Sequence, residues 1–145
     1  MGEVFAEITL KNGGDLVRAR DGNIPEKDIR SVTVNAVVDT GAMTLVMGEK
    51  LREELGLAIV KTETSTLAGG SKSFCKITEP VEIHWNKRTS SVQACVFPNK
   101  KEVLLGVIPL EEMDLIVDPK NQKLIGAHGD EVLIRIRGRV KPDNV

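Results

Sequence analysis

The sequence predicts a mainly β domain, a barrel or a sandwich, with one or two short helices. Three observations carry this. Most apolar stretches are short and alternate with polar residues at a period of two. Turn chemistry punctuates the chain between them, and helix-period segments are too few and too short for a βαβ sheet. The chain has 145 residues with 41% apolar content, enough for one domain to bury a core without a metal or disulfide framework.

Taken in order, Val4, Ala6, Ile8 and Leu10 alternate with Phe5, Glu7 and Thr9 and predict a first strand buried mainly on one face. Residues 11–30 read as a polar insertion, with Gly13-Gly14, Asp21-Gly22-Asn23 and Pro25 as turn residues around Leu16-Val17. Val32, Val34, Ala36 and Val38 alternate again, and Val37 makes the end of that strand apolar on both sides just before Asp39. Glu49 to Leu55 predicts a short helix, with Leu51 and Leu55 on one face, Gly56 as C-cap and Leu57 closing the cap contact. Strands are expected around residues 59–67, 73–85, 89–97, 114–118 and 131–137. A second helix is expected at Ile108 to Met113, opening near Pro109. Asp118 to Asn121 reads as a turn into a short return strand, Lys123 to Gly126.

Composition narrows the function classes. The formal net charge is −1, which gives no global bias toward nucleic acid or an anionic membrane. Four aromatic residues, three Phe and one Trp, argue against a stacking surface for single-stranded nucleic acid. Charged residues, 28% of the chain, interrupt every apolar run short of a membrane helix. The first residues lack the basic-then-apolar order of a signal peptide, so the expectation is a cytoplasmic protein. Cys75 and Cys95 lack partners at ligand spacing and are expected as two reduced, mostly buried thiols. No metal site and no cofactor is expected.

The chemistry concentrates in Val37-Val38-Asp39-Thr40-Gly41-Ala42. An apolar strand delivers an acid into a turn of small residues. Partial desolvation there raises a carboxyl pKa and suits it to acid–base work. Gly41 lets another backbone approach closely. The plain alternative is a strand-ending turn, for which Asp, Thr and Gly are ordinary choices. Other residues have plain readings. His84 is expected as a half-buried strand residue and His128 as an exposed turn residue. Lys87-Arg88 and Lys100-Lys101 are expected as solvated hairpin ends. Arg135, Arg137 and Arg139 form the basic face of the last predicted strand.

That signature resembles the active-site motif of retropepsin-like aspartic peptidases. Val103-Leu104-Leu105-Gly106 resembles the family's second hallmark, and Thr66-Leu67-Ala68-Gly69-Gly70-Ser71 is similar to its flap in position and composition. The resemblance spans roughly residues 30–126, and Leu105 through Pro119 is similar to the bacterial, single-domain branch. It implies a closed β-barrel and peptide hydrolysis of a peptide or protein substrate, with Asp39 catalytic. Thr40, Gly41 and Ala42 would form the active-site loop and dimer brace. Thr66, Leu67, Ala68, Gly69 and Gly70 would close over substrate, and Leu104, Leu105 and Gly106 would support the loops. For that last segment plain core packing is equally consistent.

Such chemistry needs two carboxylates. No other Asp in the chain stands before Thr-Gly or Ser-Gly, so the second must come from a symmetric partner, making the working unit a homodimer. Viral members carry acidic residues after the signature that pair with an arginine beyond the apolar-Gly element. Met43-Thr44 and Val107-Ile108 stand there instead. Two rivals keep the sequence pattern without the hydrolysis. One is a non-catalytic peptide-binding or dimerisation module, the other an unrelated sandwich with a structural Asp39 turn.

Overall fold

A computed structural model describes residues 2–66 and 69–134. Strand β1 (Val4–Asn12) buries Val4, Ala6, Ile8 and Leu10 as its alternation predicts. It pairs antiparallel with β2 (Ser31–Val38), from Val4 opposite Val38 to Lys11 opposite Ser31. The chain then turns into β3 (Leu45–Gly48), wholly buried, and helix α2 (Glu49–Leu55), the second helix after α1 (Gly13–Arg20). Gly56 ends α2 in the left-handed region at φ 62°, where a side chain is strained. Leu57 N donates to Arg52 O at 3.2 Å, and the Leu57 side chain is fully buried, so the predicted cap forms.

Next come β4 (Ile59–Thr66), the long β5 (Lys72–Trp85), β6 (Arg88–Phe97), the two-residue β7 (Leu104–Leu105) and α3 (Val107–Glu112). A small hairpin, β8 (Leu115–Asp118) with β9 (Lys123–Gly126), follows and buries Leu115 and Leu124 against the core. The main sheet runs β1-β2-β7-β3-β6-β5-β4, and β1 also pairs with β5 through residues 9–12, so the strands close into a ring. Along the edge away from β6, strand β5 serves two partners: its first half pairs with β4, its second with β1. The register against β6 slips between Ile77 and Pro80, where proline has no N–H to give a ladder.

Three expectations change. Residues 11–30 are not merely a polar insertion. They contain α1 (Gly13–Arg20), which brings the α-helices among the described residues to three, and a 3₁₀ turn at Glu26–Asp28. Asn12 caps α1 by accepting from Asp15 N at 3.0 Å, and its Nδ2 donates to Leu55 O at 2.8 Å. The helix forms because Asp15 is clamped. Its Oδ2 accepts from Arg30 N at 3.0 Å and from Arg30 Nε at 2.8 Å, and its Oδ1 from Arg18 at 2.5 Å. The Arg30 side chain, above all, holds the Asp15 carboxyl well below the usual carboxylate range. Second, Arg88 is not a solvated hairpin end but buried, and donates to Met113 O at 2.8 Å, Asp114 O at 2.9 Å and Gly129 O. Three carbonyls satisfy a buried guanidinium that would otherwise be costly. Third, in the expected strand 131–137, Glu131 forms only an isolated bridge with His128 and residues 132–134 form no strand. Residues 135–137 lie outside the described residues, as does the basic face with Arg135, Arg137 and Arg139.

Candidate active site

The Asp39 turn is built by the crossing of three strands. β7 lies between β2 and β3, parallel to β2 (Val37 opposite Leu104, Val38 opposite Leu105) and antiparallel to β3 (Leu45 opposite Leu105). The connection from β2 to β3, residues 39–44, therefore has to pass across the end of β7. Main-chain hydrogen bonds hold it there. Asp39 N donates to Leu105 O at 3.0 Å, and Ala42 N closes a turn onto Asp39 O at 3.0 Å. Val107 N donates to Ala42 O and Ile108 N to Met43 O, both at 2.9 Å.

Gly106 makes the crossing possible. A Cβ built there would lie 2.4 Å from Thr44 O and 2.5 Å from Ala42 O, closer than any side chain tolerates. The glycine of the apolar-apolar-Gly element is thus the floor under the signature turn. Leu105 beneath is fully buried and Leu104 half-buried. Their core packing and their support of the loop are one role. A further tie that sequence reasoning missed is Thr44, whose hydroxyl donates to Gln93 O of β6 at 3.0 Å. No local pattern marks it, because its partner lies far along the chain.

The turn is thus clamped mainly through its backbone. Asp39 is half-buried, and its Oδ1 accepts from Gly41 N at 2.8 Å. Among the described residues Oδ2 has no hydrogen bond and the Thr40 hydroxyl has none. Thr40 and Gly41 are exposed and Ala42 is half-buried. Met43 (74% exposed) and Ile108 flank the turn as exposed apolar side chains. Their main chains are bonded to each other, Ile108 N donating to Met43 O.

The flap positions lie on the β4–β5 hairpin. Thr66 ends β4 opposite Lys72, and Gly69 and Gly70 lie in the turn with φ of 90° and 87°. Leu67 and Ala68 lie outside the described residues. Phe74, opposite Thr64 on the same hairpin, is exposed and was not singled out by sequence reasoning, although its place beside the glycine turn marks it.

Elsewhere the polar groups are structural. Cys75 and Cys95 lie on the adjacent strands β5 and β6 as free thiols. Burial, with Cys75 beside it, pushes the Cys95 thiol up to about 12. His84 is half-buried, with Nε2 2.9 Å from Glu82 Oε1 but without hydrogen-bond alignment. His128, exposed as expected, shares Nδ1 with Asp114 Oδ2 at 2.7 Å. Among the described residues no three His, Cys, Asp or Glu side chains gather as a metal site, and no helix is long and apolar enough to cross a membrane.

The family comparison agrees with this geometry. A family model described as aspartyl protease matches residues 26–107, more than half of the chain and all of the Asp39–Gly106 crossing. No curated protein is a significant match. The strand leading into Asp39, the turn laid over Gly106 and the ring of strands around them place this chain in the retropepsin-like aspartyl protease family.

Proposed function

We propose that the protein is an aspartic endopeptidase that works as a homodimer, with Asp39 of each subunit forming the catalytic pair. The observation that carries this reading is the Asp39 turn itself: a carboxylate fixed by its backbone, one oxygen held by Gly41 N and the other free. A peptide-binding module without hydrolysis has little physical need for an acid held in this way.

Two carboxylates facing each other across a two-fold axis repel when both are ionised, so the pair retains one proton over the acidic range. The ionised Asp39 takes a proton from a water between them, and the resulting hydroxide adds to the scissile carbonyl carbon. Asp39 of the partner subunit, protonated, donates to the carbonyl oxygen as the tetrahedral intermediate forms. As the carbon–nitrogen bond breaks, the first Asp39 passes its proton to the leaving amine. The now ionised Asp39 of the partner subunit takes a hydroxyl proton from the diol, which leaves a carboxylic acid and returns the pair to one proton. Thr40, whose hydroxyl is unbonded among the described residues, braces the turn across the two-fold axis. Exposed Met43 and Ile108 provide apolar contact in place of an ion pair. The β4–β5 hairpin, turning at Gly69-Gly70, closes over an extended substrate and excludes water.

Asp39→Asn is expected to reduce cleavage of an unfolded protein substrate by at least about 10²–10⁴-fold while leaving unfolding stability unchanged. Mixing this variant with the unsubstituted chain at equal amounts, under subunit exchange, distinguishes one carboxylate from two. A shared pair leaves about a quarter of the activity, and independent chains leave about half. Activity is expected to follow a bell-shaped profile on the acid side, because the pair must be singly protonated. A rate that rises steadily into the alkaline range, or undiminished cleavage by Asp39→Asn, would count decisively against the assignment.

A further inference from the structure

Strand β2 has an open edge upstream of Asp39. In an antiparallel strand, alternate residues direct both N–H and C=O to opposite sides. Arg30 O accepts from Asn12 N on the β1 side, whereas Val37 N and Asp39 N donate away from β1, to Val103 O and Leu105 O. Thr33 and Asn35 share the odd-numbered alternation of Val37 and Asp39, so their main-chain groups also point away from β1. β7 covers only Val37 and Val38. Among the described residues, no strand pairs with Thr33 or Asn35 on that side.

A groove of about 810 Å³ follows this edge. Val32 and Val34, from the inner face of β2, and Asn35 and Val37, from its outer face, line it together. Residues from both faces of one strand share a cavity only where the cavity runs along the strand's edge. Phe5, 46% exposed, extends the apolar wall, and Leu51 of α2 faces it from the other side. Three lysines, Lys50, Lys100 and Lys101, stand around the groove with Glu54 and Glu102. Among the described residues none of these lysines has a carboxylate within 4.0 Å. The rim thus favours negative charge. The chain's own residues 135–145 carry Arg135, Arg137, Arg139 and Lys141 against one Asp143, the wrong sign for it.

We propose that this groove docks an extended acidic segment of another protein, which adds as a strand to the open edge of β2 at Thr33 and Asn35. A small apolar ligand would fill the cavity yet leave that row of N–H and C=O groups without partners, whereas a second main chain meets them in register. The open edge, residues 31–36, spans about 20 Å, the length of an ordinary strand. Apolar side chains on alternate positions of the segment meet Phe5 and Leu51, and its carboxylates meet the lysines.

The test uses the full chain carrying Asp39→Asn, so that the probe is not cleaved. The probe is acetyl-Asp-Val-Thr-Val-Asp-Val-amide at about 1 mM, in the range of weak peptide docking. Amide hydrogen exchange is expected to slow at Thr33 and Asn35. Binding is expected to weaken about fivefold, the size of one exposed ion pair, in Lys101→Glu or when lysines replace the probe's aspartates. A probe N-methylated along its backbone is expected not to bind, since it cannot donate to β2. Unchanged exchange at Thr33 and Asn35, protection confined to the residues around Asp39, equal affinity for the N-methylated probe, or equal affinity for the lysine probe would each overturn the proposal.

Discussion

The two ends of β2 are fastened by opposite means. At its N-terminal end, the α1 segment is locked by side chains: Asn12 caps and anchors, and Asp15 receives Arg18 and Arg30. At its C-terminal end, the Asp39 turn is locked almost wholly by main chain over Gly106. The first region commits Asn12, Asp15 and Arg30 to holding the fold. The second frees Asp39 and Thr40 by giving the holding task to peptide groups. If the chain works as the proposed homodimer, a turn fixed through its backbone leaves these side chains available to substrate and to the partner subunit.

The contrast breaks most visibly at Gly106. Gly106→Ala forces a methyl group against two carbonyl oxygens. Destabilisation of about 3 kcal/mol is expected, and the displaced turn should lower peptide hydrolysis by about 10²-fold. Urea unfolding and a cleavage assay read the two effects, and unchanged values in both would mean that the crossing yields easily. Asp15→Asn comes next, with about 2–3 kcal/mol lost, because Asp15 is almost fully buried while its arginines are half-exposed. Its turnover number at temperatures where the chain stays folded is expected to be unchanged. A fall in turnover would show that the two ends of β2 are coupled.

The same carboxyl sets a pH signature. Its folded pKa lies below the ordinary 3.8, so its stabilisation is complete well above pH 3.8 and declines as pH falls below that value toward the folded pKa. The stability gap between the unsubstituted chain and Asp15→Asn should accordingly be flat near neutrality and narrow in strong acid. A gap that widened on acidification would assign the effect to another group. Arg18→Ala is the mildest change, under about 1 kcal/mol, because Arg18 is 47% exposed and Arg30 still holds Asp15.

The regions also differ in how far the sequence disclosed them. The Asp39 turn was legible because its signals are local: alternation into an apolar strand end, then Asp-Thr-Gly, with a second glycine element further on. Helix α1 was not, because Gly13-Gly14 are poor helix formers and the residue that secures Asp15 lies fifteen positions away. Asn12 three residues before Asp15, with Arg18 and Arg20 in the last turn, was the available signal. Arg88 misled for a similar reason, since its carbonyl partners come from residues 113, 114 and 129. The adjacency of Cys75 and Cys95 depends on the β5–β6 register, which the bulge before Pro80 shifts.

The threading of β7 has a consequence in time. Asp39 leaves the ribosome about 65 residues before Leu104, Leu105 and Gly106, and until those residues arrive the signature turn has no floor and β2 and β3 have nothing between them. Contacts that distant in sequence form late, after local hairpins such as β5–β6. The acid is therefore synthesised early but positioned among the last events of folding, so a growing or truncated chain carries the signature without a working turn. Long-range closure thus delays assembly of the Asp39 turn until the rest of the ring is in place.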